Sequence, residues 1–130
     1  MASGRISIIE DDESLRLALV GLMKCVGHTA AGFNSAEQFL ENGAAASCDV
    51  IITDINLPGL SGIELTERMR KDGRSVPVIA ITGRSDPALE QKAKASGAAC
   101  FLRKPFEMDE LIACVESALA SNGAKDGNSR

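Results

Sequence analysis

Two apolar runs in this chain end in carboxylates. Ile8-Ile9 leads into Glu10-Asp11-Asp12. Val50-Ile51-Ile52-Thr53 leads into Asp54, and Leu57-Pro58-Gly59 turns the chain away directly afterwards. Two further runs end in residues suited to anions: Val76 to Ile81 stops at Thr82-Gly83, and Ala99 to Leu102 is followed by Lys104-Pro105. If Asp11, Asp12 and Asp54 meet, they cannot stand together as bare anions without strong repulsion. A hard divalent cation resolves this, and Mg²⁺ takes oxygen ligands while keeping several waters. Lys104 adds a point charge that balances the acids or holds an anion. Any one of these acids alone reads equally well as a solvated loop residue or a helix N-cap. The functional reading rests on the five positions Asp11, Asp12, Asp54, Thr82 and Lys104 falling at one edge.

The elements between these residues supply that edge. Arg5 to Ile9 is a strand, and Glu13 to Val26 is an amphipathic helix with the stripe Leu15, Leu19, Leu22, Met23, Val26, closed by Gly27. Thr29 to Phe33 is a weaker strand. Ser35 and Gln38 open a short helix that fails near Gly43, and Ser61 and Glu64 open another that runs to about Lys71 and closes at Gly73. Asp49 to Thr53 and Val76 to Ile81 are strands. Asp86-Pro87 starts a helix by N-cap and N1 proline, ending near Gly97. Ala99 to Leu102 is the fifth strand. Phe106 to Ala120 is the last helix, with Met108, Leu111, Ile112, Val115 and Leu119 as its stripe. Strand and helix thus alternate five times. Continuous rather than alternating apolar strands suit a parallel sheet covered on both faces, with right-handed crossovers. In such an α/β sheet, ligands gather at the carboxyl ends of the strands, near the switch point.

In this order, the motifs IIEDD (residues 8–12), TDINLPGLSG (53–62), IAITG (79–83) and CFLRKPF (100–106) make the chain resemble the receiver domain of two-component response regulators, of the nitrogen-fixation and chemotaxis regulator type. The resemblance covers residues 5–120, which it marks as one receiver domain. It implies a single flavodoxin-like, doubly wound five-stranded parallel sheet in the order 2-1-3-4-5, flanked by five helices. It also implies that Asp54 is the phosphoacceptor for a phosphoryl group from a histidine kinase or phosphotransfer protein. The implied metal set is Asp11, Asp12, Asp54 and the backbone carbonyl of Asn56, holding Mg²⁺, with Mn²⁺ able to substitute. Thr82, Gly83 and Lys104 would stabilise the phosphoryl oxygens. Thr82 and Phe101 would act as the switch, by packing alone since Phe101 lacks a hydroxyl, and Pro105 would follow a cis peptide bond. The fourth helix is poor in large apolar residues, so the face made by the fourth helix, fifth strand and last helix is the expected surface for self-dimerisation or output binding, with Lys92, Lys94 and Arg103 on it. The protein then signals rather than turns over a substrate, assisting only its own phosphorylation and dephosphorylation.

Composition agrees and excludes rivals. The chain has 130 residues, 45% hydrophobic and 25% charged, with a net charge of −4. That suits one globular domain and argues against a broad nucleic-acid surface. No apolar run is long enough to span a bilayer and the start carries no signal peptide pattern, so a cytoplasmic location is expected. Cys25, Cys48, Cys100 and Cys114 lack metal-ligand spacing and read as free, buried thiols. His28 reads as an exposed turn residue. Arg68, Arg70, Lys71 and Arg74 read as a solvated helix C-terminus. The polar segment 121–130 reads as a flexible tail or the start of a linker. A haloacid-dehalogenase-type hydrolase would need a second acid where Asn56 stands. A flavodoxin-type electron carrier would need a phosphate-cradling loop where Glu10-Asp11-Asp12 stands. A pseudo-receiver, binding without phosphorylation, is the remaining alternative.

Overall fold

The protein is described by a computed structural model covering the backbone of residues 3–128 and the side chains through Ser121. Five strands, β1 (Arg5–Ile9), β2 (Thr29–Phe33), β3 (Val50–Asp54), β4 (Val78–Thr82) and β5 (Cys100–Arg103), alternate with five helices, α1 (Glu13–Cys25), α2 (Ala36–Asn42), α3 (Gly62–Lys71), α4 (Pro87–Ala95) and α5 (Met108–Asn128). All strand pairs are parallel and the order is β2-β1-β3-β4-β5, as the receiver resemblance implies. The order reverses between β1 and β3, which opens the switch-point crevice at their carboxyl ends.

The pleat explains the two cores. Ile6, Ile8, Val50, Ile52, Ile79 and Ile81 project to one face and are sealed by Leu19 and Met23 of α1 and Leu111 and Val115 of α5. Ile9, Ile51 and Val78 project to the other, against Phe39 of α2 and Leu65 and Met69 of α3. Every residue of β3 and of β4 is buried, the pattern of central parallel strands covered on both faces. α4 contributes one buried residue, Ala93, to a small third cluster with Ile55 and Ala80. It is the least anchored helix, as its composition predicts.

Helix starts follow the capping signals. Ser61 Oγ accepts from Glu64 N–H at 3.1 Å and Glu64 Oε1 accepts from Ser61 N–H at 2.9 Å, a complete capping box. Asp86 caps α4 with Pro87 in its first turn. Gly43 closes α2 at φ +82° and a 3₁₀ turn, Ala44–Ala46, follows it. Nothing in the sequence pattern marks that turn. α5 extends beyond Ala120 to Asn128, since a formed helix adds one hydrogen bond per further residue. Residues 129 and 130 of the expected tail lie outside the described residues.

Three expectations are corrected. His28 is buried, not exposed: its Nδ1 accepts the Gly4 N–H at 3.0 Å, which pins the start of β1 to the α1–β2 turn. Its Nε2 is the one buried side-chain polar atom without a partner among the described residues. Arg70 is not fully solvated. Its Nη1 donates to Arg74 O at 3.1 Å and its Nη2 to Gly97 O at 3.0 Å, tying α3 to the α4–β5 turn, and burial lowers its guanidinium below the ordinary range. The four cysteines are not alike: Cys100 and Cys114 are joined by a disulfide, Cys25 is exposed and Cys48 half-buried.

Candidate functional site

The carboxyl ends of β1, β3, β4 and β5 meet as expected, with one shift of register among the acids. Glu10 continues the β1 ladder by one residue, its N–H donating to Phe33 O at 3.0 Å. Its side chain is 1% exposed. Glu10, Asp11 and Asp54 each offer a carboxylate oxygen within 4.8 Å of the others. Asp12 does not join them. It is the N-cap of α1, its Oδ1 accepting from Leu15 N–H at 3.3 Å. The cluster is therefore Glu10, Asp11 and Asp54 in place of the expected Asp11, Asp12 and Asp54. A helix beginning at Glu13 requires a cap at position 12, and Asp satisfies the orphan N–H groups there. That signal was present in the sequence.

Asp54 ends β3 and is 5% exposed. Its Oδ1 accepts from Asn56 N–H at 2.9 Å, and its Oδ2 accepts from Lys104 Nζ at 2.9 Å. The same Nζ donates to Glu10 Oε1 at 3.0 Å. Glu10 Oε2 accepts from Asp12 N–H at 3.1 Å. Burial raises the Glu10 carboxyl, against the opposing hydrogen bonds from Asp12 and Lys104. Burial alone would lower Lys104, yet its bonds to Asp54 and Glu10 outweigh that and raise it. Lys104 thus stays a cation, clamped between two buried carboxyl groups. The Lys104–Pro105 peptide is cis, as the resemblance implies.

Thr82, at the end of β4, is fully buried, and its hydroxyl donates to Asn56 Oδ1 at 2.6 Å while accepting from Arg84 N–H at 3.1 Å. In this state the hydroxyl is turned to Asn56, so Asn56 touches both Asp54 and Thr82. At Gly83 an added Cβ would meet only Lys104 Cδ, at 3.8 Å, so the space beside the lysine is open. Phe101 is half-buried against the Ile55–Ala80–Ala93 cluster, and the Arg103 guanidinium lies 5.5 Å from its ring centroid. Of the other charges expected on this face, Lys94 pairs with Glu90 at 2.9 Å.

Two residues outside the expected set hold the loop after Asp54. Glu37, from α2, accepts the Leu60 N–H on its Oε2 at 2.8 Å, a bond that lowers its carboxyl below the ordinary value. Gly59 passes it at φ +77°, where a Cβ would lie 2.5 Å from the same oxygen. Gly62 lets α3 rest on the end of β3: a Cβ there would lie 2.5 Å from the Asp54 carbonyl oxygen. Only the Pro58-Gly59 turn was legible in advance; a glutamate reaching across 23 positions leaves no local signature.

Chemically, an all-oxygen set of three carboxylates beside a lysine, an amide and a hydroxyl is suited to a hard divalent cation and a tetrahedral anion. Residues 6–116 match the family model described as the response regulator receiver domain. The transcriptional regulatory protein FixJ of Bradyrhizobium diazoefficiens is 38% identical over 116 residues, which are 89% of this chain and 57% of that protein. The crystal structure of FixJ-N superposes with a TM-score of 0.84 at 31% identity, over 92% of this chain and 96% of that one. A response regulator receiver domain protein from Clostridium thermocellum superposes with a TM-score of 0.86 at 26% identity, over 92% and 97%. The chain spans about half the length of the curated relatives it matches. The family match runs from β1 into α5, the superpositions cover 92% of the chain, and the chain belongs to the response regulator receiver domain family of two-component signalling.

Proposed function

We propose that Asp54 accepts a phosphoryl group from a phosphohistidine on a histidine kinase or phosphotransfer protein, with Mg²⁺ held by Glu10, Asp11 and Asp54. The observation that carries this is the Lys104 ammonium bridging Asp54 Oδ2 and Glu10 Oε1 at the end of a fully buried strand. A carboxylate with that mount is rigid, nearly dry and still reachable from the crevice. The donor set fits Mg²⁺: the oxygens are hard and close, and Asp11 is exposed, leaving a side for water. The Asn56 carbonyl is the further ligand that the resemblance implies, and Mn²⁺ has the same preference for oxygen. When bound, the metal supplies the positive charge that lets an anionic carboxylate approach an anionic phosphoryl group.

This chain's own residues do the rest. An Asp54 oxygen attacks phosphorus, the O–P bond forms, and the N–P bond to the donor imidazole breaks. Lys104 exchanges its bond to Asp54 for one to the new phosphoryl oxygens. The Thr82 hydroxyl exchanges Asn56 Oδ1 for another of those oxygens, and the Gly83 N–H donates beside it. Thr82 then moves away from the space next to Phe101, whose ring can repack against the weakly anchored α4. That repacking changes the face of α4, β5 and α5, through which a second copy or an output domain is bound. Residues 5–120 act as the receiver and the residues after 120 lead on as a tail or linker. The domain works in the cytoplasm, catalyses only its own phosphorylation and dephosphorylation, and leaves contact with nucleic acid or membrane to other parts of the system. Among the described residues no helix is long and apolar enough to cross a membrane.

The test is intact mass after incubation with acetyl phosphate and Mg²⁺, beside an Asp54→Asn control. One phosphoryl adduct that needs Mg²⁺ and is absent from the control is the expected result. A folded, Mg²⁺-binding protein that takes no adduct from acetyl phosphate or from a phosphorylated kinase would overturn it, leaving a pseudo-receiver.

A further inference from the structure

The Cys100–Cys114 bond has no part in the acid cluster, yet it joins two of the three elements of the α4–β5–α5 face. Cys100 opens β5 and Cys114 lies 14 residues later in α5. Their Cα atoms are 6.4 Å apart, inside the range of about 4.4–6.8 Å that a disulfide spans without backbone movement. That spacing suits a bond between strand and helix. Phe101 is the next residue on β5 and packs on the other face of the sheet, so the bond ties α5 to the strand that carries the expected switch residue.

The pair is also reachable. Both cysteines line a cavity of about 640 Å³ beneath α5, and Arg70 lines it too. Reactive thiols occupy partly exposed, electropositive surroundings, where the thiolate is favoured. Among the described residues, Arg70 is the one charged side chain lining that cavity, a positive charge suited to the carboxylates of a small peptide thiol. Cys48 also lines a cavity with an arginine, Arg5, but neither it nor Cys25 has a sulfur partner. Burial raises the Cys48 thiol above its ordinary value, and Cys25 stands exposed.

We infer that Cys100 and Cys114 are a reversible thiol–disulfide site for a low-molecular-weight thiol of the glutathione class, and that their bond state sets how firmly α5 is held on β5. In reduction, a thiolate of the small thiol attacks one sulfur, the S–S bond breaks, and the other cysteine leaves as thiolate and takes a proton. A second small thiol resolves the mixed disulfide. Two electrons and two protons pass to the protein, leaving two cysteine thiols and one oxidised disulfide of the small thiol. Oxidation is the reverse. This input acts on the output face whether or not Asp54 carries phosphate.

The chain is equilibrated in buffers of graded reduced and oxidised glutathione, quenched in acid, labelled with N-ethylmaleimide, and weighed intact. The expected result is one transition from four maleimides to two, with peptide mapping finding the two on Cys25 and Cys48. Amide exchange within residues 108–121 then slows about tenfold in the two-label form, because the crosslink restricts opening of the helix. A Cys100→Ser, Cys114→Ser double variant takes two labels in every buffer and exchanges like the reduced chain. Four labels in the most oxidising buffer, two in the most reducing one, a crosslink through Cys25 or Cys48, or unchanged exchange in α5 on oxidation would each overturn the inference.

Discussion

Replacing Lys104 with Met tests whether the charge network at the strand ends stabilises the fold or merely tolerates itself. Met keeps most of the apolar stem and removes the ammonium. Glu10 and Asp54, 1% and 5% exposed, then lose the cation that lies 3.0 and 2.9 Å from their oxygens, with Asp11 still beside them. Removing one partner of a buried pair costs about 3–5 kcal/mol, because the other charge is left unpaired. The Lys104 side chain is 26% exposed, so water recovers part of this. The expected loss is about 2–3 kcal/mol in metal-free buffer, or roughly 10 °C in Tm for a domain of this size. Urea and thermal unfolding in EDTA at neutral pH measure it. Because the Lys104 pKa is raised on folding, its stabilisation is complete below its ordinary value of 10.5 and is lost as pH rises through the higher folded value. The difference between wild type and variant therefore shrinks as pH rises through that value, and it shrinks again in acid as Glu10, already raised by burial, takes a proton. Millimolar Mg²⁺ should restore more stability to the variant than it adds to the wild type, since the ion then neutralises the acids unaided. A variant as stable as wild type in EDTA would refute the reasoning: desolvation of the three charges would then cancel their attraction.

Two other substitutions probe the scaffold. Gly62→Ala forces a Cβ to 2.5 Å from the Asp54 carbonyl oxygen and 3.0 Å from Ile55 Cα, both backbone atoms, so α3 must back away. It should cost about 1–3 kcal/mol by urea unfolding and slow the acetyl phosphate adduct, whereas Gly83→Ala, in open space, should stay within about 0.5 kcal/mol of wild type. Glu37→Gln leaves an acceptor for Leu60 N–H but removes its charge. The Glu37 pKa is lowered on folding, so its hold on the loop is present above its ordinary value of 4.5 and fails as pH falls through the lower folded value. The Leu60 amide should lose exchange protection over that range in wild type and show no such titration in the variant; matching profiles would remove Glu37 from the loop's support.

The parts of the fold that were legible in the sequence are those set by local chemistry. Short continuous apolar runs bounded by turn residues, such as Val78–Thr82, suit strands covered on both faces, and Ser61 with Glu64, or Asp86 with Pro87, state where a helix begins. The strand order came by resemblance, because periodicity does not say which strands become neighbours. What stayed hidden depends on contacts between distant positions. His28 looks like a turn residue until β1 arrives to donate the Gly4 N–H. Arg70 looks solvated until the α4–β5 turn presents the Gly97 carbonyl. Cys100 and Cys114 are an unremarkable spacing until α5 folds back along β5.

The acid triplet shows a different limit within three residues: the helix start marks Asp12 as a cap, but nothing local separates Glu10 from Asp11. Glu10, Asp11 and Asp12 are near-equivalent as carboxylates, and composition alone cannot assign them different work. Their geometry does. Glu10 is still on the β1 ladder, so its side chain is buried and must find the Lys104 ammonium and the Asp12 N–H to offset its desolvation. Asp12 is one residue before the helix, so its oxygen is drawn to the orphan N–H of Leu15. Asp11 lies between, bound to neither element, and it is exposed towards the crevice with its oxygen near both Glu10 and Asp54. The same reasoning predicts unequal substitutions. Asp12→Asn should change little, since Asn caps a helix about as well as Asp. Asp11→Asn should weaken Mg²⁺ binding while leaving stability in EDTA unchanged or higher, because it removes one of three crowded charges. If instead Asp12→Asn abolished Mg²⁺-dependent stabilisation and Asp11→Asn spared it, the metal would lie one residue further along the chain than the cluster of Glu10, Asp11 and Asp54 requires.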